Sequence, residues 1–135
     1  MVPVPSTQAT YTARNVFFVL LGVGALVLKP SYQGLIQPVL ASYGGNFAAS
    51  FAVYFLVLIG VSRMARGRVA AAALALAVVE LFEVTNGFGV MSNVYDRLDL
   101  VANAIGIGVA LGIDVASQGL IDRRRGDHIP SERGE

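Results

Sequence analysis

Glu80 and Glu83 stand three residues apart near the end of one apolar stretch, and Asp96, Asp99 and Asn103 recur at steps of three or four at the start of the next. That spacing puts side chains on one face of a helix. Two antiparallel helices joined by a short connection would bring both sets to one corner. Four carboxylates and one amide gathered there can bind a hard cation, relay a proton or grip a cationic ligand. Acids are costly in apolar surroundings, so an ionisable group within a spanning helix is a functional candidate by default. Structural roles compete. Asp96 and Asp99 fall where a helix begins, where acids are favoured by the dipole and by free N–H groups, and for Asp96 capping is the stronger assignment. Glu80 and Glu83 can pair with Lys29 or Arg97.

The rest of the composition narrows the chemistry. Of 135 residues, 55% are hydrophobic and only 14% charged, and the mean hydropathy is +0.63. A soluble domain carries about a quarter charged residues, so the balance is that of a single-domain membrane protein whose partner is the lipid bilayer. A net charge of +1 gives no reason to invoke nucleic acid. With no Cys there is no disulfide framework and no thiolate site, and the lone His128 carries no metal signal. Ser92, Ser117 and the threonines have no base or oxyanion context. No enzyme, metal or cofactor is expected.

Four apolar segments must position the acids, over about 13–29, 46–61, 69–85 and 98–117. The first reaches spanning length once Lys29 is allowed to snorkel. Arg14 followed by a short apolar core has the look of a signal peptide, but no small-x-small site follows, so a retained helix is expected. Lys29-Pro30 ends it. The loop to Gly45 holds an apolar patch at Leu35, Ile36, Val39 and Leu40, expected to lie in the membrane interface, and Asn46 is a cap for the second helix. Arg63, Arg66 and Arg68 mark a tight turn, and an alanine run opens the third helix. Asn86-Gly87 stops that helix through a positive φ. Asn93 with Asp96 reads as a capping-box start for the fourth. Gly108 and Gly112 form a G-x-x-x-G, while Ala102, Gly106 and Ala110 make a second small-residue face; both are expected to meet neighbouring helices. Residues 1–12, with Pro3 and Pro5, read as a polar lead and 122–135 as a polar tail.

Asp96, Asp99, Asn103, Gly106, Ala110 and Asp114 form one polar-or-small stripe along the fourth helix, expected to face inward. Asp114, about four turns past Asp99, is expected to pair with an arginine of the 63–68 turn. If both termini are cytoplasmic, that side holds Arg14, Arg63, Arg66, Arg68, Arg123, Arg124, Arg125 and Arg133 against Lys29 and Arg97 outside. Such asymmetry fits the positive-inside rule and places the acidic corner at the extracytoplasmic face. Arg123, Arg124 and Arg125 are expected to contact anionic headgroups. The fold expected is an all-α integral membrane four-helix bundle with both termini cytoplasmic.

Glu80-Leu-Phe-Glu83, followed by Asp99-Leu-Val-Ala-Asn103-Ala-Ile-Gly106, resembles the VanZ-like family of small membrane proteins. That family has Glu-x-x-Gln near the end of one helix and Asp-x-x-x-Asn-x-x-Gly at the start of the next. Glu80, Asp99, Asn103 and Gly106 match, and Glu83 stands where the family has glutamine. The arginine that often precedes the family's aspartate is absent unless Arg97 serves. The resemblance implies a role in the bacterial inner membrane, in envelope function or antibiotic susceptibility, through the acidic corner. The alternative is an accessory subunit of a larger membrane complex, or a homo-oligomer, docked through the Gly/Ala faces.

Overall fold

The computed structural model describes residues 6–89 and 96–127, which form four α-helices and one short 3-10 turn. The helices are α1 (Thr7–Leu28), α2 (Gln37–Val61), α3 (Gly67–Val84) and α4 (Arg97–Gly126), with the 3-10 turn at Lys29–Ser31. Three stretches, Thr7–Ser31, Gln37–Val61 and Arg97–Gly126, are long and apolar enough to cross a membrane. The 18 residues of α3 carry Arg68, Glu80 and Glu83, which sets it apart from the other three. Pro3, Pro5, Ser92, Asn93, His128 and Arg133 lie outside the described residues.

Three boundaries differ from the sequence expectation. Helix α1 begins at Thr7 rather than near 13, because the Ser6 hydroxyl accepts the Ala9 N–H at 3.2 Å and caps it there. Helix α2 begins at Gln37 and absorbs most of the expected outer loop. Pro38 suits a first turn, where its missing N–H would have been unpaired anyway. Asn46 is therefore inside the helix and not its cap. Gly44 and Gly45 cost helix propensity, about 1 kcal/mol each, but Leu40 lies over Gly44 and Lys29 over Gly45. Helix α4 continues to Gly126, through the expected start of the polar tail. Its last turn holds Arg123, Arg124 and Arg125, which favour the negative end of the helix dipole.

The stop of α3 is as expected. Asn86 and Gly87 have φ of 50° and 61°, and the Gly87 N–H reaches back to the Phe82 carbonyl at 2.8 Å. At the start of α4 the cap is Asp96, whose carboxylate accepts the Leu98 N–H at 3.1 Å.

Helix α2 is the hub: α1, α3 and α4 each pack on it, and α3 also packs on α4. Helices α1 and α4 rest on α2 without packing backbone to backbone on each other. Phe51, Tyr54, Phe55 and Leu58 of α2 fill the centre, with Phe18 of α1 stacked on Phe55 at 4.7 Å between ring centres. Ala71, Ala75 and Val79, at steps of four, give α3 a smooth face for this aromatic surface. Gly22 does the same for α1, since a Cβ there would stand 2.8 Å from the Ala52 Cβ.

Apolar side chains cover the outside as well as the core, and a few polar groups are enclosed. Phe17, Leu20, Val27, Leu56 and Leu81 are exposed, while Asn15, Ser50, Asp99, Asn103 and Asp114 are buried. An apolar exterior of this extent requires an apolar surrounding, and the three long apolar helices supply the means to span one.

Candidate functional site

The inward stripe of α4 is observed: Asp99, Ala102, Asn103, Gly106, Ala110 and Asp114 are buried. Its two ends differ in kind. At one the carboxylate is paired with cations, with Arg68 Nη2 left buried and unpartnered beside it, and at the other the carboxylate has no cation paired with it among the described residues.

At the far end, Asp114 is 1% exposed and holds two arginines. Arg14 Nη2 lies 2.6 Å from Oδ1, and Arg68 Nε lies 2.9 Å from Oδ2. The Tyr54 hydroxyl donates to Oδ2 at 2.9 Å. Arg14 also donates to Asn15 Oδ1 at 2.7 Å, to Ser117 Oγ at 3.1 Å and to the Asp114 carbonyl at 3.3 Å. One carboxylate thus joins all four helices. The Arg68 partnership follows the sequence expectation. From the sequence, Arg14 counts only as a cytoplasmic-side cation, and this pairing is not anticipated. Tyr11 adds a further link from α1 to α4, donating to Asp122 at 2.6 Å.

At the near end, the α3 and α4 acids meet a cavity of about 610 Å³. Its polar walls are Glu83 and Asn86 from the end of α3, Asp99 and Asn103 from α4, Ser42 and Asn46 from α2, and Lys29 from the end of α1. Helix α3 ends where α4 begins, which is why residues 16 to 20 apart share one wall. Asp99 is 7% exposed and Asn103 2%. The Asn103 Nδ2 is buried with no hydrogen-bond partner. Glu80 Oε2 is likewise buried and unpartnered, but Glu80 is not among the cavity walls.

Of the five residues expected in one corner, the structure brings Glu83, Asp99 and Asn103 to one cavity. Glu80 lies one helical turn behind, and Asp96 is turned to the backbone as a cap. Among the described residues, both ion pairs belong to Asp114, so neither Lys29 nor Arg97 pairs with these acids. No three acid or imidazole side chains among the described residues are grouped to hold a metal ion. Among the described residues, capping takes Asp96 away from the cavity and Glu80 is not one of its walls, so two carboxylates remain there. Lys29 reaches the cavity beside Gly45: a Cβ added at Gly45 would stand 3.2 Å from its Nζ.

Of the three glycines expected at packing faces, Gly106 fits. A Cβ there would stand 2.6 Å from the Phe47 carbonyl and collide with the Ser50 hydroxyl. At Gly108 and Gly112 a Cβ would meet nothing within 4 Å, so within the chain that face is open. The reason is rotational: 108 and 112 lie on the opposite side of α4 from 106 and 110, and α2 occupies only the latter.

No protein-family model matches the chain, and no curated protein or solved structure does either.

Proposed function

We propose that this chain is a small four-helix bundle of the bacterial inner membrane, both termini cytoplasmic, that holds a ligand in its extracytoplasmic polar cavity without transforming it. The carrying observation is the contrast between the two buried acids of α4. Both oxygens of the Asp114 carboxylate are paired with guanidinium groups, although Arg68 Nη2 beside it is buried without a partner. Asp99 shares a cavity with Glu83 and with an amide N–H that has no partner. An unsatisfied buried donor costs on the order of 1–3 kcal/mol, a cost that a ligand with an acceptor removes. The orientation is supported by cations: Arg14, Arg68 and Arg125 gather at the Asp114 end, leaving Lys29 and Arg97 at the other.

The same cavity draws on Glu83, Asp99 and Asn103, with Glu80 and Gly106 close behind on the same helices. These are the positions on which the resemblance to the VanZ-like family rests, and they support a role toward a component of the cell envelope. A second reading, an accessory subunit, is favoured by the open Gly108–Gly112 face of α4, which offers a close approach to a partner helix.

Native mass spectrometry after extraction in mild detergent separates these readings. The proposal expects the chain to carry a stoichiometric small adduct that Glu83→Gln with Asp99→Asn abolishes. Co-migration with larger subunits would favour the accessory reading. A bare chain would overturn the ligand-holding reading.

A further inference from the structure

The polar cavity has an apolar neighbour. A groove of about 780 Å³ runs between the end of α1 and the start of α4, floored by the first half of α2. It exists because α1 and α4 both pack on α2 while their own backbones stay apart. Its walls are Leu28, Val39, Leu40, Phe47, Val101 and Ile105. Lys29 lines both this groove and the polar cavity, so a single cation stands at the seam between them.

We propose that the two together bind one amphiphile, an aminophospholipid, with its acyl chains in the groove, its phosphate at Lys29 and its primary ammonium at Glu83 and Asp99. This assignment rests on the ligand-holding reading of the cavity and on its outward orientation, and adds the chemistry of the occupant.

Charge complementarity makes the selection. The cavity sets two carboxylates from α3 and α4 against one ammonium from α1, an arrangement that opposes a bare anion at one wall and a bare cation at the other. A headgroup that carries a phosphate and an ammonium matches both walls. The carboxylates accept hydrogen bonds, so a primary ammonium with N–H donors suits them better than a quaternary one. Quaternary ammonium recognition relies on aromatic cages, and the polar cavity has Phe82 as its single aromatic wall among the described residues. The unpartnered Asn103 Nδ2, in a residue 2% exposed, requires an acceptor, which phosphate or ester oxygens provide. The groove beside the cavity distinguishes a lipid from a free headgroup of the same chemistry, since it offers apolar surface that only acyl chains use.

The test is a titration of the delipidated full-length chain in mild detergent, followed by native mass spectrometry. The probes are phosphatidylethanolamine, phosphatidylcholine and phosphatidylglycerol with identical acyl chains, and glycerophosphoethanolamine as the headgroup alone. We expect phosphatidylethanolamine to bind about tenfold tighter than either other lipid, the order of gain that charge-assisted hydrogen bonds give. Glycerophosphoethanolamine should bind far more weakly. Glu83→Gln with Asp99→Asn should reduce phosphatidylethanolamine to the level of phosphatidylcholine and leave phosphatidylcholine unchanged. Equal binding of the three lipids by the wild-type chain overturns the assignment, and does so whether or not the variant folds. Glycerophosphoethanolamine binding as tightly as the lipid also overturns it, because the groove would then contribute nothing. In either case a stoichiometric adduct on the extracted chain would leave the ligand-holding reading intact, whereas a bare chain removes both.

Discussion

Arg14 and Asp114, one hundred positions apart, meet at 2.6 Å between Nη2 and Oδ1, and this contact ties α1 to α4 although the two backbones do not pack together. Arg68 and Tyr54 complete the coordination of the same carboxylate from α3 and α2. Asp114→Asn removes the charge that both guanidiniums answer, and breaking a buried pair of this kind costs about 3–5 kcal/mol. Thermal unfolding in detergent should show that loss. Tyr54→Phe deletes one donor to a charged acceptor and should cost about 1.5–3 kcal/mol. Wild-type stability in Asp114→Asn would mean that the cluster is not what joins the four helices.

The two glycine faces of α4 should respond in opposite ways to the same change. Gly106→Ala drives a methyl group into the Phe47 carbonyl and the Ser50 hydroxyl, an overpacking expected to cost about 1–3 kcal/mol. Gly112→Ala meets open space and should be neutral or stabilising by up to about 1 kcal/mol through helix propensity. Unfolding midpoints for the two variants check this. A loss at Gly112 in the isolated chain would show that its face is covered by a second copy.

Several of these relationships could be read from spacing. The stripe of α4 follows the helical period, so its inward face was visible in Asp99, Asn103, Gly106, Ala110 and Asp114. The Asn86-Gly87 stop was visible because a positive φ has few residue types that tolerate it. The start of α2 was not. Gly44-Gly45 followed by Asn46 has the local chemistry of a break, and packing against Lys29 and Leu40 outweighs it. Arg14 was hidden for a different reason: its partner lies one hundred residues away, and local periodicity carries no such distance. Asp96 and Asp99, three apart, could not be divided between cap and cavity until the first turn of α4 was seen.

The orientation has its own test. The chain lacks cysteine, so single cysteines report without background. Ser42 lines the polar cavity and Ser62 lies in the turn after α2 at the opposite end. In intact cells an impermeant thiol reagent should label Ser42→Cys and spare Ser62→Cys. The reverse pattern would move the cavity to the cytoplasmic side.

Asn103→Leu bears most directly on the claim that the Asp99 end is a site and the Asp114 end a scaffold. Leucine has the branched shape of asparagine, with methyl groups in place of the amide O and N, so it removes the unpartnered Nδ2 without emptying the space. The melting temperature of the delipidated variant is the measurement, taken beside Asp114→Asn, with the bound adduct followed in the same samples. The account predicts that Asn103→Leu melts at or above the wild-type temperature and loses the adduct, while Asp114→Asn melts well below it. A fall at Asn103→Leu as deep as that of Asp114→Asn, with the adduct retained, would contradict it.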